Sequence, residues 1–448
     1  MPYALCYFKG NGMDWVTLFI IILSSLIFLF FLGVPVAYSF LFINILFAYI
    51  FWGEIGLTQL ILSIFRSISS FSLLPVPLFL LMGEIMFLFG IAQNMMETLE
   101  KWMGRLPGRL SLLAVVGGVI FATLSGSSMA GCAMLGQTLL PEMEKKGYKS
   151  QVTLGPIMGC GTLAAMIPPS ALGVLLACLA QISVGDFLLS IIFPGLLMAA
   201  LFAIYIITRC ILQPDLAPQY EVEKVSFHEK IILSVKYLLP LGLVIFAVIG
   251  LIIFGVATPT ESAAVGALVC FVLAFVYKGM RGDILKKAIV NSVKITVMMF
   301  MILSGAAAFS QLLAYTGASQ NLVQLAIALP LPPIIVLILM QFVLVLLGTF
   351  MEPLSILMVA LPIYMPIIRQ LGINPLPFCS VLLINMEMAT ISPPDGLVLY
   401  TMKAVAPHHT MGEIYKASIP FVIIDIVAMA IIMIFPQIAL FLPSIAKR

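Results

Sequence analysis

The same proline-broken element occurs twice in this chain, 225 positions apart. Pro141, Gly147, Pro168 and Pro169 match Pro366, Gly372, Pro393 and Pro394 without a gap, and Pro107 and Pro332 keep the same offset. Each half reads as a long apolar stretch with a break, a short polar turn, then a second apolar stretch broken by a Pro-Pro pair. A helix broken in lipid exposes N–H and C=O groups that only protein or a polar cavity can satisfy. Paired interruptions at corresponding places in two halves mark the binding site of a secondary transporter. Two kinked helices without a ligand are the alternative. Kinks do not usually recur with their flanking residues in register, which favours a site.

Composition sets the medium. Of 448 residues 62% are hydrophobic and 9% charged, with a mean hydropathy of +1.19. A soluble domain carries about 25% charge, so the chain is an integral membrane protein. No basic stripe with interleaved aromatics is present, which argues against nucleic acid. Seven cysteines are scattered without a CxxC pair, and His228, His408 and His409 make no ligand cluster along the sequence. Disulfide and metal-centre readings are weak on this pattern. The first apolar run, from Trp15, lacks a small-residue cleavage pattern and leads through Gly33-Val34-Pro35-Val36 into another span. It reads as a transmembrane helix, not a removable signal.

With about 20 apolar residues per crossing, an all-α membrane fold of two inverted-topology repeats is expected. Residues 1–14 form an extension, 15–212 the first repeat, 213–230 a solvated cytoplasmic linker and 231–448 the second repeat. Spans are expected at 15–33, 36–53, 75–94, 187–209, 231–255, 260–277, 294–314 and 417–442, with interfacial or bracing helices at 55–73 and 281–293. Segments 112–141 and 334–366 break near their middles, and each half is too short to cross alone, so both read as re-entrant hairpins. Segments 151–182 and 375–405 read as broken transmembrane helices. Placing the loop with Lys101, Arg105 and Arg109 in the cytoplasm returns the first hairpin to the side where Lys145, Lys146 and Lys149 lie. Of 22 Lys and Arg, only Lys9, Arg66, Arg369, Lys447 and Arg448 then fall outside, with both termini periplasmic. Lys224 and Arg281 are among those inside. Full crossings would separate the first two basic clusters, so the positive-inside rule favours hairpins.

The breaks carry the candidate chemistry. Ser125-Gly126-Ser127-Ser128 at the first hairpin tip offers hydroxyls and free carbonyls. Its partner break holds Gly159-Cys160-Gly161-Thr162 and Ile167-Pro168-Pro169-Ser170. The prolines donate no N–H and so leave carbonyls one turn earlier unbonded. Carbonyls with Ser or Thr oxygens suit a small hard cation, and half-helix N-termini suit an anionic group. Ser170, Asp395 and Gly396 at such termini are therefore expected substrate contacts. Close helix packing is the plainer use of the small residues. The second half offers Gly348-Thr349-Phe350-Met351-Glu352-Pro353 and Glu387-Met388-Ala389-Thr390-Ile391-Ser392-Pro393-Pro394-Asp395-Gly396. Acidic groups at membrane depth are costly and default to function. Glu352, Glu387 and Asp395 are such groups, with Glu84 and Glu261 near span ends. Capping of free backbone N–H groups is the alternative for each, and for Glu387 and Glu261 it weighs equally. No Lys or Arg lies inside the breaks, so an anionic substrate would need half-helix dipoles and bound cations.

These motifs, with Pro141-Glu142-Met143, Gly147-Tyr148 and Ala257-Thr258-Pro259-Thr260-Glu261-Ser262-Ala263, resemble the large membrane subunit of tripartite ATP-independent periplasmic (TRAP) transporters over nearly the whole chain. The resemblance implies an elevator-type, sodium-driven importer of organic acids in the bacterial inner membrane, working with a small four-span membrane subunit and a periplasmic substrate-binding protein. It implies sodium sites at Gly126, Ser127 and Ser128 with Gly161 and Pro168, and at Met351 and Glu352 with Thr390 and Pro394. The chain departs from the family pattern at Asp395, usually apolar, and at Ala389, frequently Gly, and Asp395 weighs against the usual dicarboxylate. A self-sufficient ion-coupled anion carrier is the alternative. A membrane enzyme would want His clusters, a metal motif or paired carboxylates on soluble loops, none of which the sequence offers.

Overall fold

The computed structural model describes residues 14–446 apart from 90, 105, 219–225, 279–281, 329, 330 and 350. The extension before Asp14, and Lys9, Arg105, Lys224, Arg281, Lys447 and Arg448, lie outside the described residues. Among those described, every element is a helix and no strand forms. In chain order the helices are α1 (Trp15–Phe31), α2 (Val36–Ile68), α3 (Pro75–Leu88), α4 (Ile91–Trp102), α5 (Arg109–Ser125), α6 (Ser128–Lys145) and α7 (Ser150–Met166). They continue with α8 (Ala171–Leu179), α9 (Val184–Ser190), α10 (Ile192–Leu212), α11 (Phe227–Ile253), α12 (Pro259–Lys278), α13 (Gly282–Tyr315) and α14 (Ala318–Ala328). The last are α15 (Pro333–Gly348), α16 (Pro353–Gln370), α17 (Pro375–Ile391), α18 (Leu397–Val405), α19 (Met411–Ile434) and α20 (Gln437–Ala446). Eight helices are long and apolar enough to cross a membrane, or nine if the pair α7–α8, bent by 49°, counts as one span. The chain is a multi-pass membrane protein.

The sequence spacing survives in the backbone. The ends of α6 and α7 recur at α16 and α17 with the same 225-residue shift. Local chemistry fixes those ends. Pro353 and Pro375 open their helices at positions where no N–H is needed and φ is already set. Gly147 and Gly372 close α6 and α16 at φ 78° and 68°, a conformation that costs glycine nothing. The amides of Tyr148 and Ile373 then reach back five residues to the carbonyls of Met143 and Ile368, satisfying carbonyls that the helix ends leave open. Pro141 and Pro366 do not end the hairpin arms as expected; α6 and α16 run past them, and the glycines are the terminators. Both Pro-Pro bonds, at Pro168-Pro169 and Pro393-Pro394, are cis.

One expected boundary needs correction. From Gly282 on, the expected bracing helix at 281–293 and span at 294–314 are parts of one 34-residue helix, α13. It contains no proline, and Lys286, Lys287 and Lys294 stay exposed along it, so their charge does not force a break. At the other join the expectation holds: α2 kinks at Gly53 (φ 57°, ψ −139°), where the expected span ends and the helix that runs on to Ile68 begins. α2 and α13 cross tightly. Asn44 donates to the Gly305 carbonyl at 2.8 Å, a Cβ at Gly305 would stand 2.7 Å from Cβ of Phe40, and Phe40 meets Phe309 edge-on at 5.3 Å. These helices, with α1 and part of α16, bury one apolar cluster; the hairpin arms and broken helices share a second, larger one.

Candidate functional site

The first tip lies against the break of its own half, whereas the second is seen to touch its half's broken helix at Ala389. Gly126 turns at φ +57°, and a Cβ there would meet the Pro169 carbonyl oxygen at 3.7 Å and the Ala171 nitrogen at 3.8 Å. Gly161 is pressed by the Ser128 carbonyl, 2.9 Å from where its Cβ would be. The structure thus brings Gly126, Ser127, Ser128, Gly161, Pro168 and Ser170 together around one break. In the second half Gly348 makes room for Ala389, whose Cβ would lie 2.7 Å from a Cβ at 348. The Ala that departs from the family pattern is therefore matched by a Gly facing it.

The expected ligands are already partly engaged. Ser127 caps α6, accepting from the Ala130 amide at 3.4 Å, and Ser170 caps α8, accepting from the Gly173 amide at 2.9 Å. Each bond uses a lone pair of the hydroxyl that accepts it. Thr390 donates to the Glu387 carbonyl at 2.6 Å. The Pro394 carbonyl accepts from the Tyr415 hydroxyl at 3.0 Å. Asp395 is exposed and accepts from the Tyr400 hydroxyl at 3.0 Å. Gly396 sits 2.4 Å, measured from its would-be Cβ, from the Thr390 carbonyl, so no side chain fits there. Met351 and Glu352 line a cavity of about 530 Å³ that opens onto Gly33, Pro35, Lys294 and Ser355. Thr390, Pro394, Asp395 and Gly396 do not line that cavity. The expected grouping of Met351 and Glu352 with Thr390 and Pro394 is thus seen only through the contact of Gly348 with Ala389.

The acidic residues separate by environment. Glu261 is a cap: its carboxylate accepts from the Thr258 amide and hydroxyl, both at 2.8 Å, while its own amide donates back to the Thr258 hydroxyl. Glu84 accepts from the Asn291 side chain at 3.1 Å. Glu352 stands at the N-cap of α16 but makes no side-chain cap bond. Glu387 caps nothing. It lies inside α17, is 2% exposed, and accepts from Ser128 of the first hairpin at 2.5 Å. The capping reading of Glu387 therefore fails. Asp425, in α19, is not among the residues that the sequence analysis singles out, although an acid among apolar residues in the middle of a long helix is the available signal.

The histidines also need correction. His408 and His409 do join a cluster, with Glu144 at the end of the first hairpin. Their Nε2 atoms lie 2.6 Å and 3.0 Å from Glu144 Oε1, and all three ligand atoms fall within 4.8 Å of one another. Lys403 holds the turn by donating to the Pro407 and His409 carbonyls. Sequence spacing could not reveal a partner 264 residues away. Partial burial pushes the Glu144 carboxyl up, but the hydrogen bonds from His408 and His409 outweigh it and hold the group below its usual range. Glu413 accepts from the Thr410 amide at 3.1 Å and lies 3.0 Å from His409 Nδ1.

Known proteins match this architecture along most of the chain. Residues 23–438 match the family model for the tripartite ATP-independent periplasmic transporter, DctM component. The chain is 33% identical over 389 residues to the C4-dicarboxylate TRAP transporter large permease protein DctM of Pseudomonas aeruginosa, covering 86% of this chain and 89% of that one. It is 28% identical to the sialic acid TRAP transporter large permease protein SiaM of Vibrio cholerae, covering 93% and 96%. It is 26% identical to the ectoine TRAP transporter large permease protein TeaC of Halomonas elongata, covering 96% and 99%. Among solved structures, the Alcanivorax borkumensis YdaH transporter shares the fold with a TM-score of 0.60 at 16% identity, over 84% of this chain and 88% of that one. The relatives are named as permease subunits and not as enzymes. With helix ends that repeat around two Pro-Pro breaks and a family match that runs from α1 to the start of α20, the chain belongs to the large permease subunits of TRAP transporters.

Proposed function

We propose that this permease imports small organic acids by sodium symport with an elevator motion, as one of two inverted repeats moves its hairpin and broken helix together with those of the other. The observation that supports this reading is the recurrence of the same helix ends around two Pro-Pro breaks at a constant 225-residue shift, with the first tip laid on its break. Broken helices present carbonyls to a cation and half-helix N-termini to an anion, which suits joint binding of sodium and a carboxylate. The proposed sodium ligands are Gly126, Ser127, Ser128, Gly161 and Pro168 at one break and Met351, Glu352, Thr390 and Pro394 at the other. Ser170 and Gly396, with Asp395, would face the substrate. In this reading the chain sits in the inner membrane with both termini periplasmic, alongside a small four-span subunit, and receives its substrate from a periplasmic binding protein. Its relatives are named for chemically different cargoes, dicarboxylate, sialic acid and ectoine. Selectivity residing largely in the binding protein accounts for that spread.

Reconstitution tests it. The chain and its partner subunits are placed in liposomes, binding protein and candidate acids are added outside, and a sodium gradient is imposed. Uptake is expected only with sodium and only with the partners. Equal uptake in potassium would overturn the coupling, and uptake without partners would favour a self-sufficient carrier.

A further inference from the structure

Three side chains of metal-ligating type converge where the second half of the chain meets the end of the first hairpin. Glu144 belongs to the last turn of α6, and His408 and His409 to the turn between α18 and α19. The frame beneath them is close-packed. A Cβ at Gly136 of α6 would stand 2.8 Å from Cγ1 of Val405, the last residue of α18. Lys403 ties the turn down through the Pro407 and His409 carbonyls. Two packed helices and a bonded turn therefore place the ligand atoms.

His409 is oriented from both sides. Thr410 opens α19 in a capping box, and its amide holds Glu413 Oε2 at 3.1 Å. The same oxygen lies 3.0 Å from His409 Nδ1. A carboxylate only accepts, so Nδ1 carries the hydrogen of this bond. In the neutral ring the Nε2 lone pair then points at Glu144 Oε1, 3.0 Å away. Two acceptors that face each other need a positive centre between them, a proton or a metal ion. His408 Nε2 reaches the same oxygen at 2.6 Å. A carboxylate on one ring nitrogen, with the other turned to the ligand atoms, is how metal-binding histidines are held.

The donor set selects among cations. Two imidazole nitrogens and a carboxylate suit zinc and its d-block neighbours, whereas magnesium and calcium take oxygen ligands. The cluster thus differs in kind from the carbonyl-rich breaks proposed for sodium. Ligands about 2.0–2.1 Å from a tetrahedral zinc stand about 3.3 Å apart. That is somewhat wider than the 2.6 and 3.0 Å of the metal-free clamp. The His408 side chain is 57% exposed and can swing to that spacing, while His409, at 17%, stays in place.

We propose that Glu144, His408 and His409 bind one zinc ion, with Glu413 positioning His409 and water taking the fourth place. The ion staples the end of the first hairpin to the turn after the second broken helix. This goes beyond the transport reading and does not depend on it.

The test is zinc binding by the full chain, purified in detergent and stripped with EDTA, read by titration calorimetry and thermal unfolding. Wild type should saturate at one zinc ion per chain and unfold at a higher temperature with it, since a ligand of the folded state stabilises that state. Affinity should fall about tenfold in Glu413→Gln and by more in Glu144→Gln, His408→Ala and His409→Ala. His228→Ala, in the exposed first turn of α11, should bind as wild type. Cobalt(II) in place of zinc should give the visible absorption of a tetrahedral site in wild type and lose it in His408→Ala. Because His408 is exposed, that variant keeps the test decisive if His409→Ala fails to fold. A wild type that binds no zinc would leave a proton-bridged clamp and overturn the proposal. So would magnesium bound as tightly as zinc, or zinc affinity unchanged in His408→Ala. No readout requires uptake, so failure here and failure of the symport reading are distinguishable.

Discussion

Positions 144 and 369 occupy the same place in the two halves, at the ends of α6 and α16, and both reach across to the chain that follows the other half's short helix. Glu144 meets His408 and His409 after α18, whereas Arg369 donates to the Ala180 and Gln181 carbonyls after α8. One clamp is made of groups that titrate and the other of a permanent cation on backbone carbonyls. The tips differ in the same manner: Ser127 stands opposite Glu352. The gap between broken helices differs too, since Gly155 and Gly159 of α7 receive Phe421, while Ser380 and buried Ile384 occupy the matching turns of α17. Backbone devices repeat because proline and glycine act on φ and on the missing N–H wherever they stand. Side-chain chemistry is free to diverge around them.

The largest expected effect probes the charged tip. Glu352→Gln keeps the shape and removes the charge, and sodium-driven uptake should fall about hundredfold with expression unchanged, the upper end of what a bond to a charged group contributes. Unaltered uptake would make the second tip no more important than a helix cap. At the uncharged tip, Ser127→Gly is the cleaner variant, because glycine caps a helix nearly as well as serine. The half-saturating sodium concentration should rise about tenfold while thermal stability barely moves. Ser24→Ala in α1 should leave the sodium curve in place, and so should Glu229→Gln, whose partner Lys101 is an exposed ion pair at 3.2 Å. A shift in either control would mean that the tip is only packing.

The packing difference gives the next effect. A Cβ at Gly159 would fall 2.3 Å from the Phe421 ring, so Gly159→Ala should cost about 1–3 kcal/mol by overpacking, read as earlier thermal unfolding in detergent. Ile384→Ala at the matching turn should destabilise through a cavity instead.

The clamps give the smallest effect and a sign. Glu144 is held below the ordinary carboxyl value of 4.5, so its contact stabilises the folded protein fully above that value and is lost as pH falls below it. Acid-induced loosening near the α18–α19 turn, followed by hydrogen exchange, should therefore begin below about pH 4.5 and vanish in Glu144→Gln. The Arg369 clamp should not change over that range, because a guanidinium stays charged.

Much of this fold was legible in the sequence because its signals are local. Pro353, Pro375, Gly147 and Gly372 set helix ends through their own backbone, so the 225-residue register could be read without tertiary information. Charge is a poorer guide to length: Arg281, Asp283, Lys286 and Lys287 point to a separate bracing helix, yet an exposed lysine can ride on a continuous helix with its stem along apolar surface. The least legible features were long-range. Ser128 and Glu387 are 259 residues apart and Asn44 and Gly305 261, and no pattern in the chain announces either bond. Asp425 has an apolar run around it as its sequence signal, and which helices bury it is set by tertiary packing.

The length of α13 bears on the bilayer itself. At about 1.5 Å per residue its 34 residues measure about 51 Å, against a hydrocarbon core of about 30 Å. Such a mismatch is relieved by tilt or by an end that stands clear of the lipid tails. The lysines fall in its first four turns, so that end can project among the headgroups while the apolar remainder spans the tails. Locked to α2 through Asn44, a leaning α13 would commit its partner to the same lean. The lipid around this edge would then meet an oblique wall, and its thickness there would help set how far anything sliding along that wall must travel.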